Sequence, residues 1–328
     1  MIPAADIQEN RTEVILRAEK LTKHFLTEKK QIVHALNEAD LTLYKGETLA
    51  VVGESGCGKS TLGRTLIRLL PATSGKVMLY GRDITAMKEK EFHPLRKKMQ
   101  MVFQDPYASL NPRMNVRDLI AEPLVTWHVF KTAAETNDRV LELMDKVGLP
   151  GEYLMRYPHQ FSGGQRQRIG IARAIALEPD ILICDEPVSA LDVSVQSQIL
   201  NLLKRLRKEM QLTSIFIGHD LSVIHFIADR VCVMFLGTIC EIAPKDELYS
   251  HPRHPYTEFL LDAIPQADPH LRTREKKLIQ GEVPSPVHLP EGCCFQTRCP
   301  YADDRCRSEK PVLTEHNGHC VACFHPLK

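Results

Sequence analysis

Residues 48–61 read TLAVVGESGCGKST: an apolar run, Thr48 to Val52, ending in Gly53, then a glycine-rich turn, then Lys59-Ser60-Thr61. The turn fits G-x-x-x-x-G-K-[ST] over Gly53, Glu54, Ser55, Gly56, Cys57, Gly58, Lys59 and Ser60. Beyond it, Lys59 to Leu70 reads as a helix stopped by Pro71. Strand, loop and helix therefore follow in the order that a phosphate-binding loop requires. Glycines let the backbone curl until successive N–H groups face the β- and γ-phosphates, and the helix N-terminus adds a positive partial charge. Lys59 contributes a point charge, Ser60 a hydroxyl for Mg²⁺, and Thr61 closes the motif. A glycine-rich turn that merely happens to contain a lysine would not need the flanking strand and helix.

Working outward, Val14-Ile15-Leu16, Ile32-Val33-His34 and Leu41-Thr42-Leu43 are short apolar runs separated by polar loops such as Thr27-Glu28-Lys29-Lys30, which predicts antiparallel strands. From about Glu91 to Leu177 helical spacing takes over, with helices expected at 116–129, 133–147 and 165–177. Strands and helices then alternate: strands at 181–184, 214–217 and 231–235, and helices at 195–210 and near 221–227. Such alternation predicts an α/β fold with a parallel sheet. Beyond Pro244 the chain turns Pro- and His-rich and ends in a cysteine cluster, which reads as an accessory tail.

Composition narrows the function classes. The chain has 328 residues, 42 Lys and Arg against 41 Asp and Glu, and a net charge of +1. No strongly basic block is present to neutralise a phosphate backbone, so nucleic acid is not the expected ligand. The start, MIPAADIQENRTEV, has neither a basic opening nor an apolar core, and no apolar run reaches the roughly 18 to 20 residues of a bilayer span. The expected location is the cytosol, with any membrane role reached through partners. Six of the ten cysteines, Cys293, Cys294, Cys299, Cys306, Cys320 and Cys323, crowd into the last few dozen residues. In a reducing compartment such a cluster favours metal or iron–sulfur ligation over disulfides.

Further groups carry chemistry. Ile181-Leu182-Ile183-Cys184 is an apolar strand ending in Asp185-Glu186. Open α/β sheets bind ligands at that edge, so Asp185 is placed for the Mg²⁺ shell and Glu186 to orient or deprotonate water. Alone, this pair reads equally as a solvated strand end. Gln104 follows the apolar run Met101-Val102-Phe103 and offers a neutral amide to Mg²⁺; His219 ends another strand within reach of a γ-phosphate. Each is bland in isolation and gains meaning from its companions. Phe161-Ser162-Gly163-Gly164-Gln165 opens a helix with a hydroxyl and N–H groups expected to point outward, a second anion site far in sequence from the first. One chain with two half-sites implies dimerisation. Cys57 reads as a small residue tolerated in the loop; the sharper alternative is a thiolate of lowered pKa beside Lys59.

GESGCGKST, Gln104, FSGGQ, ILICDEP, SALD and His219, in this order and spacing, resemble the ATPase subunit of an ABC transporter over about Val14 to Pro244. The resemblance implies a P-loop NTPase core at 12–244 with an antiparallel β subdomain, a helical subdomain at about 91–177, and a Cys-rich C-terminal extension at 245–328. It implies that Phe25 stacks on adenine, and that Ser162, Gly163, Gly164, Gln165 and Asp192 contact ATP held by a partner subunit. Catalysis would fall to Glu186, His219 and Lys59, with Mg²⁺ on Ser60, Gln104 and Asp185. FQDPYASLNPRM, HPRHPYTEFLLDAIP and GEVPSPVHLPEGCCFQTRCP resemble the dipeptide/oligopeptide group of importers, which includes some nickel and glutathione importers. In that group a [4Fe-4S] cluster is held by cysteines matching Cys293, Cys299, Cys306 and Cys323. Cys294 and Cys320 stand where other residues are usual, and four thiolates also suit zinc. The resemblance further implies a paralogous ATPase partner, two membrane permeases, an extracytoplasmic binding protein, and a peripheral place on the cytoplasmic face of the inner membrane. A soluble ABC ATPase acting on ribosomes or DNA would carry two cassettes or a long coiled-coil insertion, and this sequence has neither.

Overall fold

β1 (Val14–Leu26) and β2 (Ile32–Tyr44) are long antiparallel strands joined by the Lys-rich turn, where the Thr27 carbonyl accepts the Lys30 N–H at 2.9 Å. The runs at 32–34 and 41–43, read as separate strands, belong to one. Register shifts between Ala18 and Leu21 and between Leu21 and Lys23 interrupt the alternation of buried and exposed residues. A strand whose period breaks in this way looks, in sequence, like two. The computed structural model describes residues 13–264, 281 and 284–328. The N-terminal stretch read as leaderless, Pro265, and residues 282–283 of the GEVPSP motif lie outside the described residues.

The described chain divides into two compact units, residues 13–86 with 218–328, and residues 87–217. In the first, β3 (Thr48–Val52) is buried at all five positions and leads through the glycine-rich loop into α1 (Lys59–Leu66). The helix ends at Leu66 rather than Leu70 because Arg68 turns left-handed, φ 55°. β4 (Ser74–Leu79) and β5 (Arg82–Asp83) complete an antiparallel sheet of order β2-β1-β4-β5.

The second unit opens with α2 (Glu89–Phe92), a 3₁₀ turn at 93–98 and β6 (Met99–Val102). α3 (Val116–Thr126), α4 (Ala133–Lys146) and α5 (Gly163–Ile175) follow, then β7 (Ile181–Asp185), α6 (Val193–Met210) and β8 (Thr213–Ile217). Local chemistry sets the helix starts: Asn115 accepts the Asp118 N–H at α3, and Thr132 with Glu135 forms a capping box at α4. β6, β7 and β8 are parallel, with Met101 opposite Ile183 and Cys184 opposite Phe216. β6 is the strand expected ahead of Gln104, and it lies inside the 91–177 stretch read as helical, paired with β7.

Returning to the first unit, the chain forms α7 (Leu221–Ile227), β9 (Arg230–Phe235), β10 (Thr238–Pro244), α8 (Lys245–Ser250) and α9 (Pro255–Asp262). It ends with α10 (Asp304–Ser308), β11 (Thr314–His316) and β12 (His319–Val321). The strand order β11-β12-β10-β9-β3 shows that the tail returns to the sheet carrying the phosphate loop. It is no loose appendage. Buried His319 meets the buried Glu241 carboxylate at 2.5 Å, and that carboxylate also accepts the Arg253 and His254 N–H groups at 2.7 and 3.0 Å. Removing the His319 ring would leave a buried carboxylate oxygen short of a hydrogen-bond partner, a cost of about 1–3 kcal/mol. No helix among the described residues is long and apolar enough to cross a membrane.

Candidate nucleotide site and cysteine cluster

The phosphate loop is shaped by close backbone approach. Gly53 has φ +149°, and a Cβ there would lie 2.1 Å from the Met234 carbonyl oxygen of β9. Gly58, φ +104°, caps α1, and its Cβ would fall 2.3 Å from the Ala35 carbonyl. Only glycine fits either place. Ser55 and Gly56 form the exposed crest, while Lys59 is 5% exposed and donates to the Gly53 and Glu54 carbonyls at 2.8 and 2.9 Å. The lysine is thus held beneath the loop by the loop's own carbonyls. Cys57 is buried, and burial pushes its thiol up more than Lys59 lowers it, which favours the small-residue reading over an activated thiolate. His219 follows Gly218, whose N–H donates to Val51 at 3.1 Å, and Phe25 is 36% exposed on β1 with the Lys23 ammonium 4.9 Å from its ring centroid.

In the second unit, buried Asp185 ends β7 and Glu186 turns left-handed, φ 45°, with its N–H on the Ile217 carbonyl at 3.0 Å. That turn lifts the Glu186 carboxylate off the strand line, where it accepts the Gln104 side-chain amide at 2.9 Å. Two residues 82 positions apart in sequence are thereby brought into contact. Ser162 caps α5: its hydroxyl accepts the Gln165 N–H at 3.4 Å, and the Gln165 side chain accepts the Ser162 N–H at 3.0 Å. The hydroxyl expected to point outward is therefore an acceptor within a capping box, although Ser162 itself stays exposed. The glycines answer to packing. A Cβ on Gly164 would sit 2.3 Å from Val195 of α6, and one on Gly163 would sit 3.1 Å from Leu191. Asp192 is exposed at the start of α6, where its carbonyl accepts the Gln196 N–H at 2.8 Å.

Two arginines of α5 escaped sequence reasoning. Arg173 donates to the Ser109 carbonyl at 2.9 Å, and the Arg166 guanidinium lies 3.7 Å from the centroid of the Tyr107 ring. Together they tether the loop after Gln104 to the helix that begins at Ser162. Their seven-residue spacing, two turns on one helix face, was the available signal.

The cysteines separate into groups. Cys299 lies within electrostatic reach of Cys293 and Cys306, and Cys323 within reach of Cys293, Cys299 and Cys306, so that ionising one thiol would disfavour ionising the next. Cys294 instead bonds to Cys240 and Cys293, and Cys320 faces Glu315 and Arg230. Burial pushes the Cys323 thiol up to about 12 and raises Cys299 and Cys306, while Cys293 is raised first by its bond with Cys294 and then by burial. Four thiols that resist ionising together are a set that a cationic centre would relieve. Cys293 donates its N–H to the Cys306 carbonyl at 2.8 Å, and a Cβ on Gly292 would lie 2.2 Å from that same oxygen. Asp303 accepts the Cys306 N–H and the His325 ring at 2.9 Å each, while the His325 N–H points at the Cys323 sulfur at 3.3 Å. One donor atom each from Asp303, Cys306 and His325 lies within 4.8 Å of the others.

Residues 36–189 match the ABC transporter family, and residues 240–306 match the oligopeptide/dipeptide transporter C-terminal region. The chain is 51% identical to the oligopeptide transport ATP-binding protein OppF of Salmonella typhimurium, over 95% of this chain and 96% of that one. It is 48% identical to the oligopeptide transport ATP-binding protein AppF of Bacillus subtilis, over 95% of this chain and 97% of that one. Among solved structures, the dimeric post-hydrolysis state of the ATP-binding cassette MJ0796 bound to ADP and Pi matches with a TM-score of 0.65 and 29% identity, covering 70% of this chain and 99% of that one.

Proposed function

Because the chain belongs to the ATP-binding subunits of the oligopeptide class of ABC transporters, we propose that it is the ATP-hydrolysing subunit driving import of oligopeptides across the cytoplasmic membrane. The observation that carries this reading is the identity, about half of all positions, running through both the cassette and the C-terminal region. The reaction is hydrolysis of ATP to ADP and phosphate.

The residues divide the work. The loop N–H groups from Gly53 to Thr61 receive the phosphates, that of Glu54 excepted because the Tyr256 hydroxyl holds it; Lys59 leaves the Gly53 and Glu54 carbonyls for the phosphate oxygens, and Phe25 offers a face to adenine. Ser60, Gln104 and Asp185 supply oxygen ligands to Mg²⁺. Glu186 takes the proton of the attacking water, while Lys59 and His219 stabilise charge on the transferring phosphoryl group. In the present arrangement the Gln104 amide occupies the Glu186 carboxylate. Mg²⁺, if held by the Gln104 amide oxygen, would draw on the same side chain whose NH₂ now donates to Glu186, and a turn of that side chain would free the carboxylate oxygen for water. Ser162 to Gln165 and Asp192 close over ATP held by the partner, a paralogous ATPase subunit. Closure rocks two permeases that receive substrate from an extracytoplasmic binding protein, with this chain peripheral on the cytoplasmic face of the inner membrane.

Cys293, Cys299, Cys306 and Cys323 are offered as the ligands of a [4Fe-4S] cluster on the motif they match; Cys299, Cys306 and Cys323 each lie within electrostatic reach of Cys293, whereas Cys294 reaches only Cys293 of the four and otherwise bonds to Cys240, and Cys320 faces Glu315 and Arg230. Such a cluster would supply a structural cross-link; Asp303 and His325 orient two of its sulfurs. Iron content and the visible spectrum of anaerobically purified protein test this: about four irons per chain support it, and zinc alone overturns it. For transport, the tagged chain is expected to copurify with two permeases and a second ATPase, and to hydrolyse ATP faster in proteoliposomes when peptide-loaded binding protein is added. Copurification with ribosomes, and no stimulation by peptide, would sink the reading.

A further inference from the structure

Glu54 is a variable position of the phosphate loop pattern, yet every polar group it has is engaged. Its N–H donates to the Tyr256 hydroxyl at 3.0 Å, and its carbonyl accepts Lys59 Nζ at 2.9 Å. Its two carboxylate oxygens accept from one Arg298 nitrogen, Nη1, at 3.1 and 3.0 Å. The Arg298 side chain is 8% exposed and that of Glu54 27%, so the pair is shielded enough for its geometry to matter. Tyr256 lies on α9, and Arg298 immediately precedes Cys299. Both belong to the C-terminal extension, more than 200 residues beyond the loop they hold.

The extension grips firmly. Fully buried Phe295 packs against the rings of Phe235, Tyr256 and Phe259, and the Arg298 N–H donates to the Phe295 carbonyl at 3.0 Å. Phe235 ends β9, next to the Met234 carbonyl that Gly53 grazes. A single aromatic cluster therefore fixes Tyr256 and Arg298 to the strand that sets the loop's entry.

We propose that Arg298 and Tyr256 of the C-terminal extension are positioning residues for ATP binding, acting through Glu54 of the phosphate loop. Two physical effects follow from the contacts. Arg298 neutralises a carboxylate that would otherwise repel an arriving polyphosphate. Arg298 and Tyr256 together also fix the Glu54 residue whose carbonyl parks Lys59, so the lysine starts from one defined place. Neither residue touches nucleotide in this role.

The test is equilibrium MgADP binding to the purified full-length chain by calorimetry, with thermal unfolding of the nucleotide-free protein as control. Arg298→Met keeps an unbranched side chain at the position and removes the charge; it is expected to weaken MgADP about tenfold, the loss of one charge-assisted hydrogen bond. Arg298→Lys restores a point charge and should recover affinity to within about threefold of wild type. In a Glu54→Gln background, Arg298→Met should change affinity by less than about twofold, because the path through Glu54 is already gone. A residue serving only the fold would lower the unfolding midpoint and weaken binding equally in both backgrounds. Wild-type affinity for Arg298→Met, or a further tenfold loss in the Glu54→Gln background, overturns the proposal. Should Arg298→Met fail to fold by circular dichroism, Tyr256→Phe decides: it keeps the ring cluster, and about a threefold loss supports the proposal while unchanged affinity refutes it.

Discussion

Gly53 and Gly56 stand three residues apart in one loop, both with positive φ, and alanine should separate them sharply. At Gly56, φ +79°, a Cβ meets nothing within 4 Å, so Gly56→Ala carries backbone strain alone, about 1–2 kcal/mol. At Gly53, φ +149°, the same Cβ arrives 2.1 Å from the Met234 oxygen and 2.7 Å from the Cys57 sulfur. Cys57 has little room to retreat, being buried, and Met234 lies in β9, paired on one side with β3 and on the other with β10. Strain of about 1–3 kcal/mol for the backbone adds to about 1–3 kcal/mol for overpacking. The sum, about 2–6 kcal/mol, is a large share of an ordinary stability of about 5–15 kcal/mol. Urea unfolding of wild type and both variants, followed by circular dichroism, reads the difference; MgADP titration of whichever variants remain folded reads the loop. Gly56→Ala is expected to stay folded with a small shift in midpoint, and Gly53→Ala to lose several times as much stability. Equal midpoints for the two variants would refute the claim that β9 carbonyl approach, rather than positive φ alone, demands glycine at 53.

Glu186→Gln removes the base while keeping an amide partner for Gln104, so phosphate release should fall by about 10²–10⁴-fold with MgADP affinity unchanged; turnover at the wild-type rate would remove Glu186 from the mechanism. Ser162→Ala in one ATPase of the assembled importer should slow hydrolysis of the nucleotide bound by the other subunit, measured with that subunit's own Glu186 equivalent intact, and loss confined to the mutated chain's own nucleotide would count against the shared site. Cys184 is buried and its thiol is pushed from 9.0 up to about 12 by burial. A raised folded pKa means full stability below about pH 9 and progressive loss toward pH 12 as the unfolded thiol ionises first, worth at most about 4 kcal/mol. Cys184→Ala should therefore flatten the alkaline limb of a denaturation series, and an unchanged limb would contradict the burial argument. Cys294→Ser should retain iron where Cys306→Ser loses it, by iron assay after anaerobic purification.

What could be read from sequence was whatever is written in consecutive residues. Gly53 to Thr61 declares itself because one turn must satisfy phosphate with adjacent N–H groups, and β7 because the apolar run Ile181 to Cys184 leads straight into the carboxylate of Asp185. Helices α3, α4 and α6 announce themselves through the apolar spacing at 116–129, 133–147 and 195–210, while the caps Asn115 and Thr132 that fix two of the starts went unread. The two long N-terminal strands were legible only in pieces, since their register shifts break the period that defines a strand. The tail was read as an appendage for a different reason: β12 is three residues long, and it joins β10 through strand pairing and a buried His319–Glu241 contact between positions 78 apart. No local pattern encodes such a contact.

The same logic explains why the support of the phosphate loop was invisible. The loop pattern leaves position 54 open, and nothing near it in sequence says that a glutamate there needs a cation. The partner is 244 residues away, inside a motif whose cysteines draw attention to themselves and away from the arginine between them. A carboxylate facing a polyphosphate site is a local conflict, and local conflicts persist where a distant residue resolves them. The charge at Glu54 therefore ties the ATP site to the integrity of the C-terminal extension. A cassette with this glutamate but no extension would carry an unneutralised negative charge at its phosphate loop, and grafting Glu54 into such a cassette should weaken its MgADP affinity. An unchanged affinity in that graft would show that the carboxylate needs no partner, and that Arg298 merely fastens the tail.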